Sequence, residues 1–140
     1  MKTRPSILII QNNHLLTMRY NYAGQDVYNL PGGNVEFGEK LNDTLTRELQ
    51  EELGIRVEVG KLLFVGEVHT EQMQNIHFVF NGIIADGTPK LNPSETKALE
   101  IVWLPIKNIV DYQLYPNIVT YISSQPNRTT YLGVLDQKWH

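Results

Sequence analysis

The chain is 140 residues long, 41% hydrophobic and 19% charged, with a formal net charge of -3 and no cysteine. That length supports one domain spanning residues 1–140 and excludes two well-packed cores, while the apolar content excludes disorder. The acidic balance excludes a broad basic face for wrapping nucleic acid, and the lack of thiols excludes disulfides and thiolate metal sites, leaving oxygen or imidazole as ligands. The early apolar run Ile7 to Ile10 is too short for a signal-peptide core or a membrane span, so a cytoplasmic protein without membrane contact is expected.

Residues Ser6 to Gln11 and Leu15 to Arg19 read as two strands joined across Asn12-Asn13-His14. Tyr20 to Asp26 is polar, contains Gly24 and reads as a loop, and Val27 to Leu30 as a short strand that ends at Pro31-Gly32-Gly33. From Leu41 the period becomes helical: Leu41, Leu45, Leu49 and Leu53 recur every fourth residue, and Gly54 is the stop signal. Asn42 is the expected cap, because Lys40 occupies the usual capping position. Ile55 to Val59, Leu62 to Val68 and Ile76 to Ile84 read as strands, with a break at Gly60 and a bulge at Gly82. Turns follow at Asp86 to Pro89 and Asn92 to Glu95, then a strand from Leu99 to Leu104 and short helices over Ile106 to Val110 and Pro116 to Ser123. Tyr131 to Trp139 carries no decisive pattern. Strands, one strong helix, more strands and then helices point to a mixed α/β or α+β sandwich.

Chemistry concentrates in Gly32 to Glu39 and the helix after it. Glu48, Glu51 and Glu52 fall within an arc of roughly 100° on a helix, so like charges crowd one side. Alone, such a run reads as the solvated face of an amphipathic helix. Arg47 precedes Glu51 by one helical turn and can pair with it, but a hard divalent cation suits a cluster of oxygens better. Arg19, Tyr22 and Tyr28 flank the glycine loop, where arginine can contact phosphate and tyrosine can stack on a base; strand-edge surface is the alternative. His69 and His77 read as structural histidines and His14 as turn surface. Trp103, Trp139 and the aromatics from Tyr112 to Tyr121 read as core, or as the contact face of a homodimer.

In full, Gly33, Glu39, Arg47, Glu48, Leu49, Glu51, Glu52, Gly54 and Ile55 satisfy G-x5-E-x7-R-E-U-x-E-E-x-G-U, with U a bulky aliphatic residue. Seven fixed identities at frequencies of about one in fifteen arise at a given start roughly once in 10^8, so this spacing outweighs the solvated-helix reading. The segment resembles the Nudix box of the Nudix hydrolases. The resemblance implies an α/β fold, an α/β/α sandwich with a mixed β-sheet, and metal-dependent cleavage of the pyrophosphate linkage in a small nucleotide. Nucleotide sugars, ADP-ribose, dinucleoside polyphosphates and nucleoside triphosphates are the implied substrates. Carried over by position, Glu48, Glu51, Glu52 and the Gly33 carbonyl would ligate Mg2+, or Mn2+, while Glu39 and Arg47 would hold the loop against the helix. The general base would be Glu51, Glu52 or a glutamate outside the box, with Glu95 favoured over Glu100. Arg19 and Tyr28 are the candidate substrate contacts. The rival implied by the same family is a non-catalytic domain that senses a nucleotide. Isoprenoid diphosphate isomerisation would want a cysteine that this chain lacks.

Overall fold

The computed structural model describes residues 1–124 and 126–137. Its elements run β1 (Lys2–Leu8), β2 (Ile10–Gln11), β3 (His14–Tyr22), β4 (Gln25–Asn29), α1 (Leu41–Leu53), β5 (Arg56–His69), β6 (Gln74–Asp86), β7 (Glu100–Pro105), a 3-10 helix (Ile106–Asp111), β8 (Leu114–Tyr115) and β9 (Thr130–Val134). They form two mixed sheets. One has the order β1-β6-β5-β9; the other runs β2-β3-β4-β8, with β7 also paired to β3. β1 lies parallel to β6 and β9 parallel to β5, and β3 is antiparallel to β4 and β7.

Alternation along the strands divides the apolar residues between two cores. Ile7 of β1, Ile9 between β1 and β2, and Leu16 and Met18 of β3 pack with Leu45, Leu49 and Leu53 of α1. Their neighbours Leu8 and Leu15 point the other way, onto a core with Phe64, Leu104, Ile109, Ile118 and Ile122. Burying each of the three helix leucines contributes roughly 1.5–3 kcal/mol, so the four-residue repeat fixes which side of α1 faces the sheets. The opposite side is left for the glutamates.

Several elements differ from the sequence expectation for identifiable reasons. β1 starts at Lys2 and runs through Pro5, which sits on an edge strand where its missing N–H breaks no ladder. The expected loop at Tyr20 to Asp26 is a continuation of β3 and β4 around a two-residue turn, Ala23-Gly24, with both residues at positive φ. Asn12-Asn13 makes the same kind of turn, at φ 51° and 61°. β5 continues through Gly60 with a register shift between Val59 and Leu62, so the bulge falls there, opposite Gly82. Pro116 to Ser123 is not a helix: Tyr121 N–H donates to the Ile118 carbonyl (2.8 Å) and Ser124 N–H to that of Tyr121 (3.0 Å), in separate turns. Its run of Ile, Val, Thr and Tyr costs side-chain freedom in a helix, and Ile118 and Ile122 reach the core from turns. α1 begins at Leu41 with Lys40 as its N-cap and no side-chain capping bond, so Asn42 lies inside the first turn and does not cap. Trp103 packs partly buried against the α1 core; Trp139 lies outside the described residues.

Candidate active site

The glycine pair after β4 is fastened to β1. Ile7 N–H donates to the Pro31 carbonyl (2.9 Å) and Gly33 N–H to that of Pro5 (3.2 Å). A Cβ on Gly32 would sit 2.2 Å from the Pro5 oxygen, and one on Gly33 would sit 2.5 Å from Glu48 Oε1. Only glycine lets the main chain come this close to both the strand and the helix carboxylate.

Arg47 then locks the following loop to α1. Its Nε and Nη2 donate to Glu39 Oε2 (2.8 Å) and Oε1 (3.0 Å), its Nη1 to Glu48 and Glu51 (3.0 Å each), and Nη2 also to the Asn34 carbonyl (3.3 Å). Glu39 additionally accepts the Thr44 hydroxyl (2.8 Å) and the Glu36 N–H (3.0 Å). The Arg47 guanidinium, followed by the Glu36 amide, holds the Glu39 carboxyl down at about 2. Reciprocally, Glu39 raises the Arg47 pKa further.

Beside this anchor lies a cavity of about 210 Å³, with Arg4, Tyr20, Asn29, Gly33, Glu48, Glu52 and Glu95 among its lining residues. Glu48 and Glu52, one helical turn apart, both face it. Burial first, and the neighbouring Glu48 second, push the Glu52 carboxyl up to about 8. Glu95 arrives from a distant loop because that loop is bonded to the C-terminal end of α1. Lys90 N–H donates to the Leu53 carbonyl (3.0 Å), Asn92 N–H to that of Glu52 (2.9 Å) and Asn92 Nδ2 to that of Glu51 (3.2 Å). Three helix-end carbonyls that would lack a partner are thereby satisfied. Gly54 turns the chain away at φ 66°. Thr96 is buried, close to both the Tyr20 hydroxyl (3.0 Å) and Glu52.

The expected residues are thus distributed unevenly. Glu48, Glu52, Glu95 and Gly33 come together. Glu51 lies one turn along, with its carboxylate drawn to Arg47. Arg19 and Tyr28 are not brought to the cavity: they pair across β3 and β4 on the opposite face from Met18 and Asn29. Arg19 is held by Asp26 (3.2 Å) and Glu100 (3.0 Å), and Tyr28 meets Tyr112 edge-on. Glu100 therefore belongs to that outer face. His69 bonds Glu67 (2.9 Å), and His14 starts β3 at the surface. His77 is buried beside the Tyr115 hydroxyl (3.1 Å), and its burial, then the charge of Arg4, pulls its pKa down to about 3. Arg4, Tyr20, Asn29 and Asn34 are polar lining residues that sequence reasoning missed. Extending the alternation of Leu16 and Met18 by two residues would have found Tyr20.

The donors fit a hard divalent cation. They are all oxygens, two are carboxylates forced together in a partly buried wall, and the Gly33 main chain runs against one of them. Among the described residues, no three histidine or carboxylate side chains converge on one point, and Arg47 Nη1 engages both Glu48 and Glu51.

Comparison with known proteins places the chain in a family. The NUDIX domain family model matches residues 2–123. Nucleoside triphosphatase NudI of Escherichia coli is 28% identical over 102 residues, covering 65% of this chain and 69% of that protein. The MutT protein of Methanosarcina mazei Go1 superposes with a TM-score of 0.72 at 22% identity, over 87% of this chain and 90% of the other. An ADP-ribose pyrophosphatase from Streptococcus suis does so with a TM-score of 0.70 at 17% identity, over 93% and 98%. These two likenesses concern the fold. With the glycine-to-glutamate spacing intact, the anchored loop in place and the family model covering most of its length, the chain belongs to the Nudix hydrolase family.

Proposed function

We propose that this Nudix pyrophosphohydrolase cleaves the pyrophosphate linkage of a nucleoside diphosphate derivative with the help of Mg2+, or of Mn2+. The observation that carries the reading is the meeting of Glu48, Glu52 and Glu95 with the Gly33 main chain in one cavity. The relatives' names span nucleoside triphosphates and ADP-ribose, so the substrate is stated as the class that includes both, with nucleotide sugars and dinucleoside polyphosphates.

In this reading Glu48, Glu52 and the Gly33 carbonyl would hold the cation, with Glu51 as the third carboxylate. The bound ion would neutralise the diphosphate and lower the pKa of an attacking water. Glu95 is the general base: it faces the same cavity and comes from a loop that α1 holds at a fixed position. Glu39 and Arg47 keep the glycine loop and the helix in register. Among the described residues no helix is long and apolar enough to cross a membrane, and the reading sets the enzyme in the cytoplasm, where nucleotides are abundant.

The test is release of phosphate and nucleoside monophosphate from a panel of the four substrate classes, with Mg2+ and with chelator. Chelator-sensitive turnover of any member is expected, and Glu95→Gln should reduce it by about 10^2- to 10^4-fold. Nucleotide binding without turnover by the wild-type protein would instead support the sensor reading.

A further inference from the structure

Three arginines, Arg4, Arg19 and Arg47, are used differently. Arg47 is bonded to three carboxylates and Arg19 to two. Arg4 makes a single side-chain hydrogen bond, from Nη1 to the neutral Asn34 Oδ1 (3.1 Å), and among the described residues it forms no ion pair within 4.0 Å. A guanidinium has five N–H donors in a planar fork, so most of this one is uncommitted.

Its position is fixed nevertheless. Arg4 pairs with His77 in the parallel β1–β6 ladder, one residue before the point where Pro5 and Ser6 are bonded to Gly33 and Gly32. Asn34, which orients the guanidinium with its side chain, gives its carbonyl to Arg47. Arg4 therefore stands on the strand that carries the glycine loop, lines the same cavity as Glu48, Glu52 and Glu95, and is the sole Lys or Arg among the described residues lining it. Its charge is felt by Glu52 and by buried His77 without neutralising either through a direct bond.

We infer that Arg4 binds phosphate oxygens of the substrate in the cavity that the carboxylates also line, with Asn34 holding the guanidinium in place. The inference rests on the pyrophosphohydrolase reading and adds a substrate-binding residue to it. A cavity lined by carboxylates repels a polyanion, and an uncommitted guanidinium on β1 offsets that repulsion and gives the phosphate oxygens a fixed donor. The contact is present both before and during reaction, so it affects binding more than the chemical step.

The experiment compares wild type, Arg4→Lys and Arg4→Gln in steady-state kinetics on a nucleoside triphosphate and on ADP-ribose with Mg2+, alongside calorimetric binding of inorganic pyrophosphate. For Arg4→Gln, KM should rise about tenfold to a hundredfold and kcat change by less than about threefold. Pyrophosphate binding should weaken by a similar factor, and Arg4→Lys should recover part of the loss. Unchanged KM and pyrophosphate affinity in Arg4→Gln, with wild-type turnover intact, overturns the inference alone. Should wild type show no turnover, the hydrolase reading fails, and pyrophosphate affinity decides this inference on its own: weaker in Arg4→Gln upholds it, equal overturns it. A fall in thermal stability without a change in pyrophosphate affinity marks a purely structural arginine and also overturns it.

Discussion

Glu39 and Glu52 sit on one loop-and-helix unit, and their surroundings drive them in opposite directions. Glu39 is gripped by Arg47, an amide and a hydroxyl, and its carboxyl is held down at about 2. Glu52 is buried beside another carboxylate, and its carboxyl is pushed up to about 8. One charge is already matched by the protein; the other is left for something to be bound. In the proposed reading, the difference separates the part of the box that builds the site from the part that works in it.

The largest effect should come from removing the unmatched charge. Glu52→Gln is expected to lower turnover by about a thousandfold or more, while the metal-free protein melts no lower than wild type at pH 8, because a repelling charge has gone. Calorimetric or dye-based melting of the metal-free variant checks this, and a large drop in Tm would show that Glu52 helps to hold the fold. Removing the grip should act differently. Arg47→Met leaves Glu39, Glu48 and Glu51 without their shared partner, so both Tm and activity should fall, activity by about ten- to a hundredfold. Excess Mg2+ should not restore the activity if Arg47 sets geometry rather than charge.

The smallest effect is on the pH dependence of stability. Glu39, whose folded value is lowered, contributes stability that is complete above about 4.5 and is lost as pH falls toward 2. Glu52, whose folded value is raised, contributes in the other sense: its share is complete below about 4.5 and is lost as pH rises through about 8. With chelator, Tm should therefore decline by a few degrees between pH 5 and 8 from the Glu52 contribution. Added Mg2+ should flatten that decline. A metal-free Tm that climbs over the same interval would contradict the assignment of Glu52 as the strained group.

Much of this contrast was legible in the sequence. The four-residue leucine repeat announces α1 and its buried side, and the fixed spacing from Gly33 to Ile55 marks the loop, the anchor pair and the glutamate cluster. Glu95 stands out in the sequence as a carboxylate in the polar loop before β7, and that loop lines the cavity. What could not be read was the approach of β1 to the glycine pair: nothing local in Arg4-Pro5-Ser6 announces a contact with Gly32 and Gly33, and Pro5 even argues against a strand. Arg19 and Tyr28 lie off the carboxylate cavity by parity. Adjacent strand residues face opposite ways, so a one-residue difference separates Met18 and Tyr20, which line the cavity, from Arg19, which does not. The helix expected after Pro116 failed because apolar spacing survives in a chain of turns as well as in a helix.

The bonds from Lys90 and Asn92 to the end of α1 have an evolutionary consequence. Between the helix and the Glu95 loop the chain makes a long excursion through β5 and β6, yet it is returned to the helix end by direct contacts. The outer turn of that excursion, Thr70 to Met73, is exposed and closed by its own hydrogen bonds. Descendants of this sequence can therefore lengthen, shorten or decorate that tip to acquire new partners or control elements, while the distance between the two halves of the site stays the same.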